Sequence, residues 1–161
     1  MFILIMGVTG SGKTTIGTAV ATALGWPFYD ADDFHSADSV RKMAAGAALT
    51  DEDRQPWLKK LRRLISDRNE RGENGVLACS ALKGAYRTLL TADADVALVY
   101  LMAQPDLIRS RFDSRQGHYM PQSLIESQFR DLEEPDECII VDAAKPVQRA
   151  VETIRTRLGR R

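Results

Sequence analysis

The sequence predicts a parallel five-stranded α/β sheet with helices on both faces, and three observations carry that expectation. Short, wholly apolar segments that read as buried strands alternate with amphipathic helical segments. The first apolar segment runs straight into a glycine-rich loop, Gly7-Val8-Thr9-Gly10-Ser11-Gly12-Lys13-Thr14, which opens a helix. Glycine, proline and polar turns punctuate the elements, and no repeat, linker or low-complexity tract interrupts them.

Phe2 to Met6 reads as a buried strand, and the loop feeds a helix from about Lys13 to Leu24, ended by Gly25. Pro27-Phe28-Tyr29 is a short second strand, and a small helix around Ser39 to Ala45 stops at Gly46. Thr50 caps a long helix, with Asp53 three residues on as its capping-box partner. Trp57, Leu58, Leu61, Leu64 and Ile65 share one face of that helix. Arg71 to Gly75 is turn chemistry before a third strand, Val76 to Cys79; Leu82 to Leu90 is helical, and Val96 to Leu101 is a fourth strand. Pro105 starts another helix and Ile139 to Val141 makes a fifth strand. Pro146 opens a closing helix whose apolar side is Val147, Ala150, Val151, Ile154 and Leu158.

The 161 residues suit one domain, 1–161, with a substrate-side flap at about 31–58 and a lid at about 111–130. Twenty-two basic residues balance 22 acidic ones, so no net field favours nucleic acid or an anionic membrane as partner. No apolar run is long enough to span a bilayer, and Phe2 to Met6 is too short for a signal-peptide core. Cys79 and Cys138 have neither metal-ligand nor redox spacing. A cytoplasmic protein is expected.

The loop fits G-x-x-x-x-G-K-[ST] position by position, between a strand and a helix as the mechanism requires. Its glycines let backbone N–H groups turn inward around phosphate oxygens, and the helix presents its N-terminus to the same charge. Residues Gly7 to Thr15 are therefore candidate nucleotide ligands, with Lys13 reaching the β/γ-phosphates of ATP and Thr14 offering its hydroxyl to Mg²⁺. The fold is thus expected to be of the P-loop NTPase kind.

Phe28-Tyr29-Asp30-Ala31-Asp32-Asp33-Phe34-His35 places carboxylates beyond the C-terminal end of the second strand, the edge where ligands sit in open α/β sheets. Asp30 and Asp32 project the same way in extended chain. One can hold Mg²⁺ while the other accepts the proton of an attacking hydroxyl. Strand three ends Ala78-Cys79-Ser80, without the aspartate that many P-loop NTPases put there, which assigns the metal side to Asp30 and argues against a motor ATPase. No guanine-reading N-K-x-D motif is present either.

Arg54 is a natural bidentate ligand for a substrate carboxylate. Lys83 and Arg87, four apart, are expected on one helix face near the end of strand three, to bind a carboxylate or the reacting end of an acid. His35 can hydrogen-bond a hydroxyl. Arg109 to Tyr119 reads as a lid segment in which Arg111 and Arg115 share a helical face and Gly117 hinges. An arginine brought in this way accelerates phosphoryl transfer by roughly 10³ to 10⁵, or about 4 to 7 kcal/mol of barrier.

Several stretches resemble the gluconate kinases, small P-loop kinases related to shikimate and nucleoside monophosphate kinases. They are Asp30-Ala31-Asp32 with His35, Lys42-Met43 with Gly46, Asp51 to Leu58, Cys79-Ser80-Ala81-Leu82-Lys83 with Tyr86-Arg87, Arg111, Arg115 to Tyr119, Gln128-Phe129 and Leu132 to Pro135. They cover residues 7 to about 142, and the D-R-x-P-W-L and C-S-A-L-K stretches are the most specific. Ser36, Ser39 and Ala48 stand where the family pattern has proline, asparagine and proline. The resemblance implies ATP-dependent phosphorylation of D-gluconate at its terminal hydroxyl, with Asp32 as base, Arg115 as the transition-state arginine, Arg111 stacking on adenine, and a homodimer. A shikimate or nucleoside monophosphate kinase is the enzymatic alternative, although shikimate kinases usually carry Gly-Gly-Gly where this chain has Ser80-Ala81-Leu82. A nucleotide-binding module without catalysis is the other.

Overall fold

The computed structural model describes residues 1–114 and 122–159. Five strands, β1 (Phe2–Met6), β2 (Phe28–Asp30), β3 (Gly75–Ala78), β4 (Val96–Met102) and β5 (Ile139–Asp142), form one sheet in the order β2-β3-β1-β4-β5. Every pairing is parallel; Leu4, for example, lies between Leu77 of β3 and Leu98 of β4.

The helices are α1 (Lys13–Leu24), α2 (Ala37–Ala44), α3 (Asp51–Glu70), α4 (Gly84–Thr91), α5 (Pro105–Asp113), α6 (Gln122–Asp131) and α7 (Val147–Leu158). Because side chains alternate along a strand, β1 feeds two cores at once. Phe2, Leu4 and Met6 pack under α3 and α4 with Leu58, Leu61, Ile65 and Leu90. Ile3 and Ile5 face the other way, onto Ile16 and Val20 of α1 and Ala150 and Ile154 of α7. Burial on both faces is why β1 reads as a continuous apolar run. A third cluster, Val8, Leu82, Ala103, Ile108, Ile125 and Ala143, seats α5 and α6 beside the C-terminal ends of the strands.

Local chemistry sets the helix ends. Thr50 and Asp53 close the expected capping box of α3: Asp53 N–H donates to Thr50 Oγ1 at 3.1 Å and Thr50 N–H to Asp53 Oδ2 at 2.8 Å. Ser36 caps α2, accepting the Ser39 N–H at 3.1 Å while its hydroxyl donates to Ser39 Oγ at 3.0 Å. The two serines that depart from the family pattern thus cap a helix together.

Three details differ from the sequence reading. The third-strand helix begins at Gly84, not Leu82, with Lys83 as its extended N-cap residue, so Lys83 and Arg87 do not share a helix face. Leu64 is only half-buried on α3. Helix α6 has no counterpart among the expected elements; its apolar residues meet the small third cluster rather than the sheet.

Candidate active site

β1 lies where the sheet order reverses, between β3 and β4, and the phosphate loop leaves its C-terminal end. Gly10 (φ 81°) needs glycine twice over, since a Cβ there would also lie 2.8 Å from the Phe112 ring of α5. Gly12, at φ 99°, forms the N-cap of α1 without any side-chain cap, and no acidic residue occupies the first turn. The N–H groups of that turn therefore face the cleft unneutralised.

The cleft, about 270 Å³, is lined by Thr9, Gly10, Gly12 to Thr15, Asp30, Asp32 and Ala78 to Ser80. The loop itself contributes two notable polar groups. Ser11 Oγ is buried and unbonded among the described residues. Lys13 Nζ rests on the carbonyls of Gly7 and Val8, each at 3.0 Å, in the manner of a cation without its anion. Burial lowers the Lys13 pKa, against the opposing charges of Asp32 and Asp30. An uncapped helix start and an ammonium resting only on carbonyls fit a polyphosphate.

Thr14 Oγ1 donates to Asp30 Oδ2 at 2.9 Å. The other Asp30 oxygen accepts the Asp32 N–H at 3.1 Å, capping the 3₁₀ turn Ala31–Phe34. Among the described residues no cluster of three or more His, Cys, Asp or Glu could hold a metal. Hydroxyl plus carboxylate suits Mg²⁺, which takes one or two protein oxygens and completes its shell from phosphates and water.

Asp32 projects from this turn into the cleft. Its carboxyl pKa is raised, first by partial desolvation in the concave wall and then by the Asp30 charge. The side chain is 89% exposed, so solvent screening keeps the shift modest. His35 Nε2 lies 3.9 Å from Asp32 Oδ1. The His35 side chain is buried, stacked on the Trp57 indole with centroids 4.5 Å apart and planes 10° from parallel. Burial lowers its pKa, and the nearby Arg54 charge lowers it further against the pull of Asp32. Trp57 Nε1–H in turn donates to the Ala31 carbonyl at 2.7 Å. One long helix, α3, thus braces the turn that carries Asp32.

The cations sort into two sets. Arg54 and Lys83 meet around Asp51: Lys83 Nζ donates to both Asp51 oxygens at 2.9 Å, Arg54 Nη1 lies 3.4 Å from Oδ1, and the Tyr86 hydroxyl donates to the same oxygen. Arg54 also donates to Tyr86 Oη at 3.2 Å. Arg87 turns away, donating to the carbonyls of Ala81 (3.0 Å) and Leu82 (2.8 Å). It clamps a turn in which Ala81 holds φ 43°, a conformation that favours glycine. Arg111 is similarly engaged, donating to the carbonyls of Gly10 (2.9 Å), Ser11 (2.8 Å) and Ala143.

Arg115, Gly117, His118 and Tyr119, expected in the lid, lie outside the described residues. Several participants carry no sequence signal of their own. Gln128 of α6 accepts from the Thr9 N–H (3.1 Å) and hydroxyl (3.3 Å), joining α6 to the phosphate loop. Cys79 lines the cleft, its thiol pKa pushed up to about 12 by burial. Asp51 and Tyr86 were legible only as part of quoted stretches.

Comparison with known proteins gives the following. The family model described as Shikimate kinase matches residues 9–153. A probable gluconokinase of Xenopus tropicalis is 39% identical over an alignment covering 100% of this chain and 95% of that protein. The crystal structure of a gluconokinase from Sinorhizobium meliloti 1021 superposes with a TM-score of 0.88 at 39% identity, over 98% of this chain and 91% of that one. A shikimate kinase from Aquifex aeolicus reaches 0.60 at 18% identity, covering 99% and 96%, a likeness of fold alone.

Proposed function

Since the chain belongs to the gluconokinase family of small P-loop kinases, we propose how its own residues carry out that family's reaction. It phosphorylates D-gluconate with ATP, giving 6-phospho-D-gluconate and ADP. One observation carries the residue assignment: a carboxylate, Asp32, stands at the mouth of the phosphate cleft, and a cationic cluster lies just beyond it.

The phosphate loop and the α1 N-terminus hold the triphosphate, and Lys13 leaves the Gly7 and Val8 carbonyls for the β/γ-phosphates. Thr14 and Asp30 would hold Mg²⁺, which when bound offsets the charge of the phosphates. Arg54 and Lys83 draw in the gluconate carboxylate, directing the far end of the acid towards Asp32. Asp32 accepts the proton of the terminal hydroxyl as its oxygen bonds to the γ-phosphorus and the bond to the β,γ-bridging oxygen breaks, releasing ADP. His35, braced on Trp57, keeps Asp32 directed at that hydroxyl. Positioning and charge stabilisation supply most of such catalysis.

We also take the enzyme to be a cytoplasmic homodimer; among the described residues no helix is long and apolar enough to cross a membrane.

The test is ADP release from Mg-ATP with D-gluconate, shikimate, AMP, CMP or no acceptor. Saturable release with gluconate alone is expected. Release with another acceptor instead would move the substrate, and silence with all of them, despite ATP binding, would remove the kinase reading.

A further inference from the structure

Arg54 and Lys83, the two cations assigned above to the acceptor's carboxylate, already share a carboxylate of the chain's own. Asp51 accepts Lys83 Nζ on both oxygens at 2.9 Å, takes the Tyr86 hydroxyl, and lies 3.4 Å from Arg54 Nη1. Lys83 and Arg54 also stand over the Tyr86 ring, 5.6 and 6.0 Å from its centroid. A two-oxygen anion gripped by an ammonium, a guanidinium and a phenol is the arrangement a site for a free carboxylate would show.

A helix-capping role does not account for it. The capping of α3 is done by Thr50 and Asp53, which close their box without Asp51. Nor is the carboxylate buried and in need of neutralising, since the Asp51 side chain is 56% exposed. Lys83 and Arg54 are the less exposed partners, at 31% and 29%, and Arg54 lies one turn before Trp57 on α3, whose indole stacks on His35 and bonds to Ala31. The cluster therefore borders the Asp32 turn.

We propose that Asp51 occupies the acceptor's carboxylate position in the substrate-free protein, and that the acid must displace it from Lys83, Tyr86 and Arg54 to bind. This rests on the gluconate reading above. Asp51 then sets the affinity for the acceptor and screens the cations from other small anions. A simple carboxylate gains only the ion pair it breaks, whereas an acid long enough to reach Asp32 gains contacts at both ends.

The experiment compares wild type with Asp51→Asn, which keeps the shape and removes the charge. Three quantities are read: KM and kcat for gluconate, inhibition by D-glucitol (the same carbon chain without the carboxylate), and inhibition by acetate. Asp51→Asn is expected to lower the gluconate KM by about twofold to fivefold, the scale of a partly exposed ion pair. It should leave kcat and the glucitol Ki unchanged and make acetate a better inhibitor. A merely structural aspartate would not separate the acid from the neutral polyol. A gluconate KM that stays or rises, or a KM and glucitol Ki that fall together, overturns the exchange while leaving the gluconate reading intact. A wild type without gluconate-dependent ADP release overturns both. Should Asp51→Asn not fold, Asp51→Ser makes the same comparison.

Discussion

Thr14 Oγ1 donates to Asp30 Oδ2 at 2.9 Å, so the helix behind the phosphate loop is bound through one hydroxyl to a strand two places away in the sheet. The second Asp30 oxygen holds the turn that carries Asp32. A single carboxylate thus fixes the spacing between the triphosphate side of the cleft and the acceptor side. Asp30→Asn keeps the size and weakens both bonds. It should lower turnover by roughly 10- to 100-fold, the usual cost of disturbing a metal's supporting shell. Saturation should then need more Mg²⁺; turnover measured across Mg²⁺ concentrations checks this, and an unchanged Mg²⁺ dependence would contradict the assignment.

Among the described residues Asp32 makes no ion pair tighter than the 3.9 Å approach of His35, and its side chain is open to the cleft. A carboxylate so placed is free to take a proton. Asp32→Asn should cost about 10² to 10⁴ in kcat with ATP affinity nearly intact. Nucleotide titration alongside single-turnover kinetics separates the two, and full turnover would remove Asp32 from the chemistry.

Trp57 supports that turn from below through the bond to Ala31 and the stack on His35. Trp57→Phe keeps an aromatic face but leaves the Ala31 carbonyl without its indole donor. About 1 to 3 kcal/mol of stability should go, together with part of kcat and little of the ATP affinity. Urea unfolding and steady-state kinetics on the same preparation would show it. Lost stability with unchanged kcat would confine Trp57 to the core.

Asp53 bonds to Lys42 and to Thr50, and these contacts hold its carboxyl at about 2, below its ordinary 3.8. A group depressed in the folded state stabilises it above the unfolded pKa and stops doing so as pH falls through the folded value. Asp53→Asn should therefore melt below wild type by a constant margin from pH 5 to 8. That margin should close as the pH falls from about 4 towards about 2. Thermal melts at stepped pH test this, and a margin independent of pH would mean the box acts without its charge.

Much of the fold was legible because its signals are local. The five strands and the major helices follow from apolar runs, a glycine loop, the Thr50-Asp53 box and Pro105, each set by neighbours within about a turn. The phosphate loop needed only its own residue types and its place between strand and helix. Helix α6 has no acidic first turn to mark its start, and its place beside α5 and the loop is set by tertiary contacts. Lys83 was misplaced because spacing alone cannot say where a helix starts when its N-cap side chain makes no capping bond.

The parallel sheet, the phosphate-binding loop, the candidate carboxylates and the family resemblance can all be read from residue order, since these rest on local patterns. Which charges meet depends on how the elements pack. Arg87 went to the Ala81 turn, Arg111 to the phosphate loop, and Arg54 with Lys83 to Asp51, contacts reaching up to 101 residues along the chain. The destination of a long cationic side chain depends on which carbonyls and carboxylates packing brings within about 3 Å of it, and that is fixed only when α3, α4 and α5 have docked on the sheet.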